Sequence, residues 1–298
     1  MDSLSPSVDQ LRGFLLQQIF TAFGRPIPGW MRLLLTPGFW PIAQKFARLT
    51  ARLDQQVASG GINAGARWFL PHFVKDIRTL GTENIPPSGP LLVAGNHPGA
   101  YDVVAITASL NRDDLKIVAS DESFYRSLPH IHPHFIYVTH DPHNRMGAIR
   151  NMIHHLEGGG ALLLFPSGIV DPDPAILPGA HQALQAWSGS LEIVMRKVLD
   201  TRLVIAISSG VLSATILKNP VSRLPRLAWQ QRKLAEFLQV MLQLTFGLKF
   251  GLVPRLSFSQ PFKFDPVQAR EAVAARQKAI LFHAEEALTY HLEVFAHA

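Results

Sequence analysis

The chain has no cysteine. That removes disulfides, thiolate nucleophiles and sulfur-based zinc sites, and it is compatible with a reducing compartment without requiring one. Charge is sparse as well. Only 17% of the 298 residues are charged, below the usual quarter, so the chain buries much of its surface or meets an apolar medium. A long apolar run is also missing. A spanning helix needs about 18 consecutive apolar residues. The closest approach is "LVIAISSGVLSATIL", Leu203 to Leu217, which is flanked by Arg202 and Lys218 and is rich in Ser and β-branched residues. It reads as a buried strand and its continuation. The opening "MDSLSPSVDQ" carries acids where a secretory signal carries basic residues. There is no G-x-S-x-G elbow to present a serine nucleophile. The glycine-rich "EGGGALLLFPSG" matches neither the P-loop nor the dinucleotide register.

What is present is a basic, strongly apolar chain. It is 47% hydrophobic with a net charge of +6, a balance that favours anionic partners such as an anionic membrane or phosphorylated substrates. Nucleic acid is not expected, because the basic residues sit among apolar helix positions and no nucleic-acid motif appears.

Two textures divide the chain. Residues 1–80 read as a helical N-terminal extension. In "LRGFLLQQIFTAF", Leu11, Phe14, Leu15, Ile19, Ala22 and Phe23 recur at helical spacing. Pro26, Pro28 and Pro37 then break that pattern, and "WMRLLLTPGFWPIAQKFARLTARL" mixes Trp and Phe with Arg and Lys. This mixture suits a packed helical extension and an interfacial anchor equally. Residues 81–298 alternate short apolar runs ("PLLVAG", "KIVAS", "FIYVT", "ALLLF", "LVIAI", "RLSFSQ") with amphipathic stretches. That alternation predicts an α/β fold: a mixed, largely parallel central sheet flanked by helices. Leu234, Phe237, Leu238, Met241, Thr245 and Leu248 mark a further helix face, and a last helix is expected over about 266–295. Between Lys218 and Lys263 stand eight Lys and Arg residues with Glu236 as the only acid. A solvated face and an anionic membrane surface both fit that run.

The stretch most suggestive of chemistry is "GNHPGAYDVVA", Gly95 to Ala105. Positions five apart on one straight helix point about 140° away from each other. His97 and Asp102 can therefore meet only if His97 ends a strand, Pro98-Gly99 turns the chain, and Asp102 lies in the first helical turn. General base catalysis would follow, with His97 taking a hydroxyl proton and Asp102 holding the other ring nitrogen. The plainer alternative makes Asp102 a helix cap and His97 a turn residue. In "HIHPHF", His130, His132 and His134 alternate, and on an extended segment they would share one face. His140, Asp141 and His143 follow. Loop histidines near a site mouth are the commoner case, and no metal is expected.

"NHPGAYD" resembles the N-H-x-x-x-x-D block of the glycerolipid acyltransferases, the lysophospholipid and glycerol-3-phosphate acyltransferases. "GTENIPPSGPLLVAGNH" resembles the lead-in to that block. Arg145 in "FIYVTHDPHNRMGAIRNMIHHLEGGG" matches the arginine of a second block, "LLLFPSGIVD" a third, and "LVIAIS" a fourth, all in family order over roughly 80 to 215. The resemblance implies transfer of a fatty acyl group from acyl-CoA or acyl carrier protein to a lipid hydroxyl. His97 is then the base and Asp102 its orienter, while Arg145, Phe165, Pro166, Ser167 and Gly168 contribute to the acceptor site. It implies no cofactor or metal, the thioester being activated already. Together with the Trp-rich, basic extension and the basic run after Lys218, the resemblance gives the expectation of a peripheral or interfacial place on the cytoplasmic face of a membrane. The third block departs from the family's F-P-E-G-T-R. Ser167 replaces the Glu, and Ile169-Val170 replaces Thr-Arg, so one carboxylate and one guanidinium are gone. That weakens a glycerol-3-phosphate or lysophosphatidate acceptor. It also leaves open a catalytically silent lipid-binding or scaffolding protein on the same fold, and a hydrolase using His97 as base for water.

Overall fold

The computed structural model describes residues 7–22, 27–139, 142–265 and 267–296. The chain begins with α1 (Val8–Ala22) and α2 (Gly29–Phe69). It then runs β1 (Arg78–Leu80), β2 (Leu91–Gly95), α3 (Ala100–Ser109), β3 (Leu115–Ser120), α4 (Ser123–Arg126) and β4 (Phe135–Val138). Next come α5 (Pro142–Glu157), β5 (Ala161–Leu164), α6 (Ala180–Leu184), α7 (Ser190–Lys197) and β6 (Arg202–Ser209). The chain ends with α8 (Ala214–Leu217), α9 (Ala228–Phe246), β7 (Arg255–Phe258) and α10 (Val273–Phe295).

The strands form a seven-stranded sheet in the order β1-β7-β6-β2-β5-β3-β4. All pairings are parallel except β6 with β7. Parallel strands covered on both faces need apolar side chains at every position, and β2 (LLVAG) is buried throughout. The period-2 alternation of side chains sorts the core into two layers. Leu91 and Val93 of β2, Leu163 of β5 and Ala206 of β6 pack with α1, α2 and α3. Leu92, Ala94, Leu162 and Ile205 pack on the opposite face with α5, α7 and α10. The result is a helix–sheet–helix sandwich in which the carboxyl ends of β2, β5, β3, β4 and β6 share one edge. Ligands of open α/β sheets bind at such an edge.

The expected mixed, largely parallel sheet is present. Several local expectations are corrected. The stretch before residue 81 is not helical to its end, because Arg78–Leu80 adds a three-residue edge strand beside β7. Pro37 does not end a helix. Pro37 and Pro41 both sit inside α2; being four apart they share one face, and both are exposed, so the carbonyls they leave unpaired reach water. The bend in α2 falls instead at Gly61, whose φ of 79° belongs to the left-handed region. Leu248 lies beyond α9, which stops at a left-handed Gly247. The last helix begins at Val273, after a short 3-10 turn over Gln268–Arg270. Phe23 lies outside the described residues. Among the described residues no helix is long and apolar enough to cross a membrane.

Candidate active site

β2 ends at Gly95, and the next residues build the site. Asn96 extends the β2–β6 pairing with its side chain. Its Nδ2 donates to the Ser208 carbonyl at 2.9 Å, and its Oδ1 accepts from Ser208 N–H at 2.8 Å. This locks the strand end, so the next side chain, His97, projects from a fixed point. Gly99 turns the chain into α3, and Asp102 occupies the third helical position. Its Oδ2 accepts the Gly99 N–H at 3.1 Å, as an N-terminal capping residue does. The same carboxylate reaches His97 Nδ1, 3.0 Å from Oδ2 and 3.1 Å from Oδ1. The two alternatives left open by the sequence are therefore not exclusive. Asp102 is both the helix cap and the partner of His97.

A second carboxylate backs the first. Asp171 Oδ2 accepts the His97 backbone N–H at 2.9 Å, while Asp171 N–H donates to the His97 carbonyl at 2.7 Å. This reciprocal pair ties the loop after β5 to the end of β2. Asp173, fully buried, accepts N–H bonds from Ala175, Gly210, Val211 and Leu212 and fixes the same loop to the end of β6. The Phe165 ring lies beside the imidazole, with centroids 4.8 Å apart. From above, α9 contributes Arg232, which donates from both Nε (2.9 Å) and Nη2 (2.7 Å) to the Val170 carbonyl. Glu236, one turn further along α9, adds its charge to the field at His97.

These charges set the proton affinity of His97. Burial lowers its pKa, but the Asp102 carboxylate outweighs burial through charge and hydrogen bond. Glu236 and Asp171 add to that pull, and the pKa rises to about 9. The His97 side chain keeps 25% of its surface accessible against 0% for Asp102, so a ligand can reach the ring but not its partner. With Nδ1 held, Nε2 has no hydrogen-bond partner among the described residues. Asp171 shifts upward through burial, opposed by its bonds from His97 N–H and the Ser167 hydroxyl. Arg232 shifts downward through burial, opposed by Asp171.

The other expected site residues divide into two groups. Phe165, Pro166, Ser167 and Gly168 follow β5, which neighbours β2, and they stand at the same edge as His97. The Ser167 hydroxyl is engaged within its own loop, at 3.0 Å from the Ile169 carbonyl and 3.1 Å from Asp171. Gly168 closes a turn onto the Phe165 carbonyl at 3.1 Å and takes a left-handed φ of 67°. Arg145 stands apart. It is exposed near the start of α5, the helix that follows β4, and β4 lies three positions from β2 in the sheet. Among the described residues no hydrogen bond or ion pair joins it to the dyad. The backbone N–H groups of His97 and Gly99, on either side of Pro98, are both taken by carboxylates.

The histidines of "HIHPHF" do not converge. Residues 132–134 form a 3-10 turn rather than an extended segment. His130 Nδ1 meets Asp54 at 2.7 Å, His132 the Tyr137 hydroxyl at 2.9 Å, and His134 the Leu115 carbonyl at 3.1 Å. Among the described residues no group of three or more His, Asp and Glu could hold a metal ion. His140 and Asp141 lie outside the described residues.

A family model described as Acyltransferase matches residues 76–210. No curated protein matches the chain. Among solved structures, the 1-acyl-sn-glycerophosphate (LPA) acyltransferase PlsC from Thermotoga maritima is similar over 96% of this chain and 99% of that one, at 14% identity and a TM-score of 0.49.

Proposed function

We propose that the chain, whose residues 76–210 match the acyltransferase family model, moves a fatty acyl group from acyl-CoA or acyl carrier protein to a hydroxyl of a glycerolipid or related lipid. The observation that carries this reading is the oriented imidazole: Nδ1 fixed on buried Asp102 and, among the described residues, Nε2 without a partner, at the carboxyl edge of the sheet. The acceptor hydroxyl gives its proton to His97 Nε2 as its oxygen attacks the thioester carbonyl. Asp102 stabilises the imidazolium that forms. The tetrahedral intermediate collapses with loss of the thiolate, and His97 returns the proton to that sulfur. A serine nucleophile is not required. With the N–H groups of His97 and Gly99 engaged, the first-turn N–H groups of α3, at Ala100 and Tyr101, are the candidates to face the oxyanion.

The acceptor binds along the loop after β5. Phe165, Pro166 and Gly168 shape its wall, and Ser167 acts through that loop's geometry. Arg145 serves an anionic part of the acceptor. The enzyme works as a peripheral protein on the cytoplasmic face of a membrane. The extension assigned to residues 1–80 supports this: Trp30, Leu33, Leu34 and Trp40 of α2 are exposed, and Arg12 of α1 stacks 3.7 Å over the Trp40 ring. Such Trp-rich, basic surfaces suit the headgroup zone.

The test is acceptor-dependent thiol release from acyl-CoA and acyl carrier protein, with mass analysis of the acceptor. The acceptor panel runs from glycerol-3-phosphate to lysophospholipids and uncharged lipid alcohols. An acylated lipid that requires an acceptor supports the proposal. Free fatty acid without acylated acceptor would make the protein a hydrolase. No release from a folded, vesicle-binding protein would favour the silent lipid-binding alternative, to which the altered third block points.

A further inference from the structure

The basic run from Lys218 onward is not absorbed by the chemistry at His97, and the structure gathers part of it around a cavity. Between α8, the 3-10 turn over Pro220–Arg223, the start of α9 and the loop after Asp173 lies a pocket of about 270 Å³. Three cations, Lys218, Arg223 and Arg232, line it beside the apolar side chains of Ile176, Leu177 and Leu217, and no acid lines it among the described residues. Among the described residues neither Lys218 nor Arg223 has an acidic partner. Ala228, the first residue of α9, is also in the lining. That 19-residue helix starts without a side-chain cap and without an acid in its first turn, so its positive end adds to the field. The rim is apolar. Val221, Leu224 and Leu227, on the segment between the pocket and α9, are 40%, 62% and 52% exposed.

We propose that this pocket seats the phosphate of an amphiphilic phosphate ester, with the phosphate among Lys218, Arg223 and Arg232 and the apolar chain leaving over Val221, Leu224 and Leu227 toward a lipid surface. Three uncompensated or half-compensated cations in a concave wall select an anion. The apolar wall and rim select against a free ion. The volume holds a head group and the start of a chain, not a whole lipid. The pocket also connects to the dyad. Arg232, one of its walls, donates twice to the Val170 carbonyl, and the next residue, Asp171, holds the His97 backbone. An anion drawn to Arg232 therefore acts on the loop that positions His97.

The test is titration calorimetry with a short-chain monoacyl glycerol phosphate below its micellar concentration. Coenzyme A, inorganic phosphate and the phosphate-free monoacylglycerol serve as separate arms. The proteins are wild type, His97→Ala and the double variant Lys218→Ala/Arg223→Ala, whose two exposed side chains carry no native ion pair. Saturable binding of the phosphate amphiphile is expected in wild type and His97→Ala alike, with at least about tenfold weaker binding in the double variant. Inorganic phosphate and monoacylglycerol are expected to bind more weakly than the amphiphile. Undiminished binding in the double variant would overturn the proposal, as would equal affinity for the phosphate-free lipid or for inorganic phosphate. Coenzyme A binding that needs Lys218 and Arg223, without binding of the amphiphile, would assign the pocket to the acyl donor and also overturn it. Because binding is read without turnover, failure here is distinct from failure of the acyl-transfer reading.

Discussion

Two histidines lean on fully buried aspartates through Nδ1: His97 on Asp102 at 3.0 Å and His130 on Asp54 at 2.7 Å. The contacts are alike, but the settings are not. Asp54 reaches across from the middle of α2 and also accepts the backbone N–H groups of His130 and Ile131. Its carboxylate holds a loop to a helix, and the exposed imidazole completes that bracket. Asp102 holds a turn too, but its histidine stands at the meeting of strand ends, against the Phe165 ring, with Asp171 behind its backbone and α9 above. A third histidine sharpens the contrast. His291 bridges the hydroxyls of Ser209 and Ser257 at 2.8 Å each. Burial, helped by the charge of Arg255, pushes its pKa down to about 4, so it stays neutral and structural. A hydrogen-bonded histidine is not enough for acid–base work. The ring needs a charged partner, an open nitrogen and a place where substrates meet.

The largest expected effect separates the two His–Asp pairs. His97→Ala should lower kcat/KM for acyl transfer by about 10²- to 10⁴-fold, whereas His130→Ala should stay within about twofold. Steady-state thiol release measures both, and equal losses would erase the distinction. Asp102→Asn should lower kcat by about 10²-fold, because the ring loses both its orientation and the charge that supports imidazolium. Asp54→Asn should instead leave kcat near wild type and lower Tm by about 5 °C, since it weakens a buried bracket. Asp171→Asn should cost about tenfold in kcat with a smaller change in KM, because Asp171 positions His97 without meeting the substrate. A change confined to KM would instead place Asp171 in binding. His291→Gln should be nearly silent in turnover and should lower Tm by about 2–4 °C, through imperfect pairing of the two serines.

How much of this was legible in sequence depends on how local each feature is. β2, β5 and β6 were readable because strands buried on both faces are continuous apolar runs, and β3, β4 and β7 stood out as shorter runs of apolar residues between amphipathic stretches. β1, three residues long with a mostly polar composition, carries no such signal. Pro37 misled because tertiary packing and an exposed face let α2 continue through it. His97 and Asp102 were readable as a pair because one turn joins them. Asp171 stands 74 positions from His97; it was visible as the end of the "LLLFPSGIVD" block but had no readable role, since only the β2–β5 pairing brings it there. Arg232 and Glu236 were lost in a basic stretch because the return of α9 over the strand ends is a tertiary event. Ser167 entered the reading only through the resemblance, because the bond of its hydroxyl within its own loop depends on how that loop folds.

The pH dependence of kcat/KM tests the central claim most directly, that His97 is the base and that the surrounding carboxylates set its proton affinity. The free protein holds His97 with a pKa of about 9, so at pH 7 only about one molecule in a hundred carries the neutral ring that can accept a proton. The account predicts that kcat/KM rises about tenfold per pH unit from pH 6 and levels off near pH 9. In Asp102→Asn, whose ring loses the lifting charge, the bend moves to lower pH while the plateau falls. A profile flat from pH 6 to 9, in an enzyme that still requires His97, would contradict it.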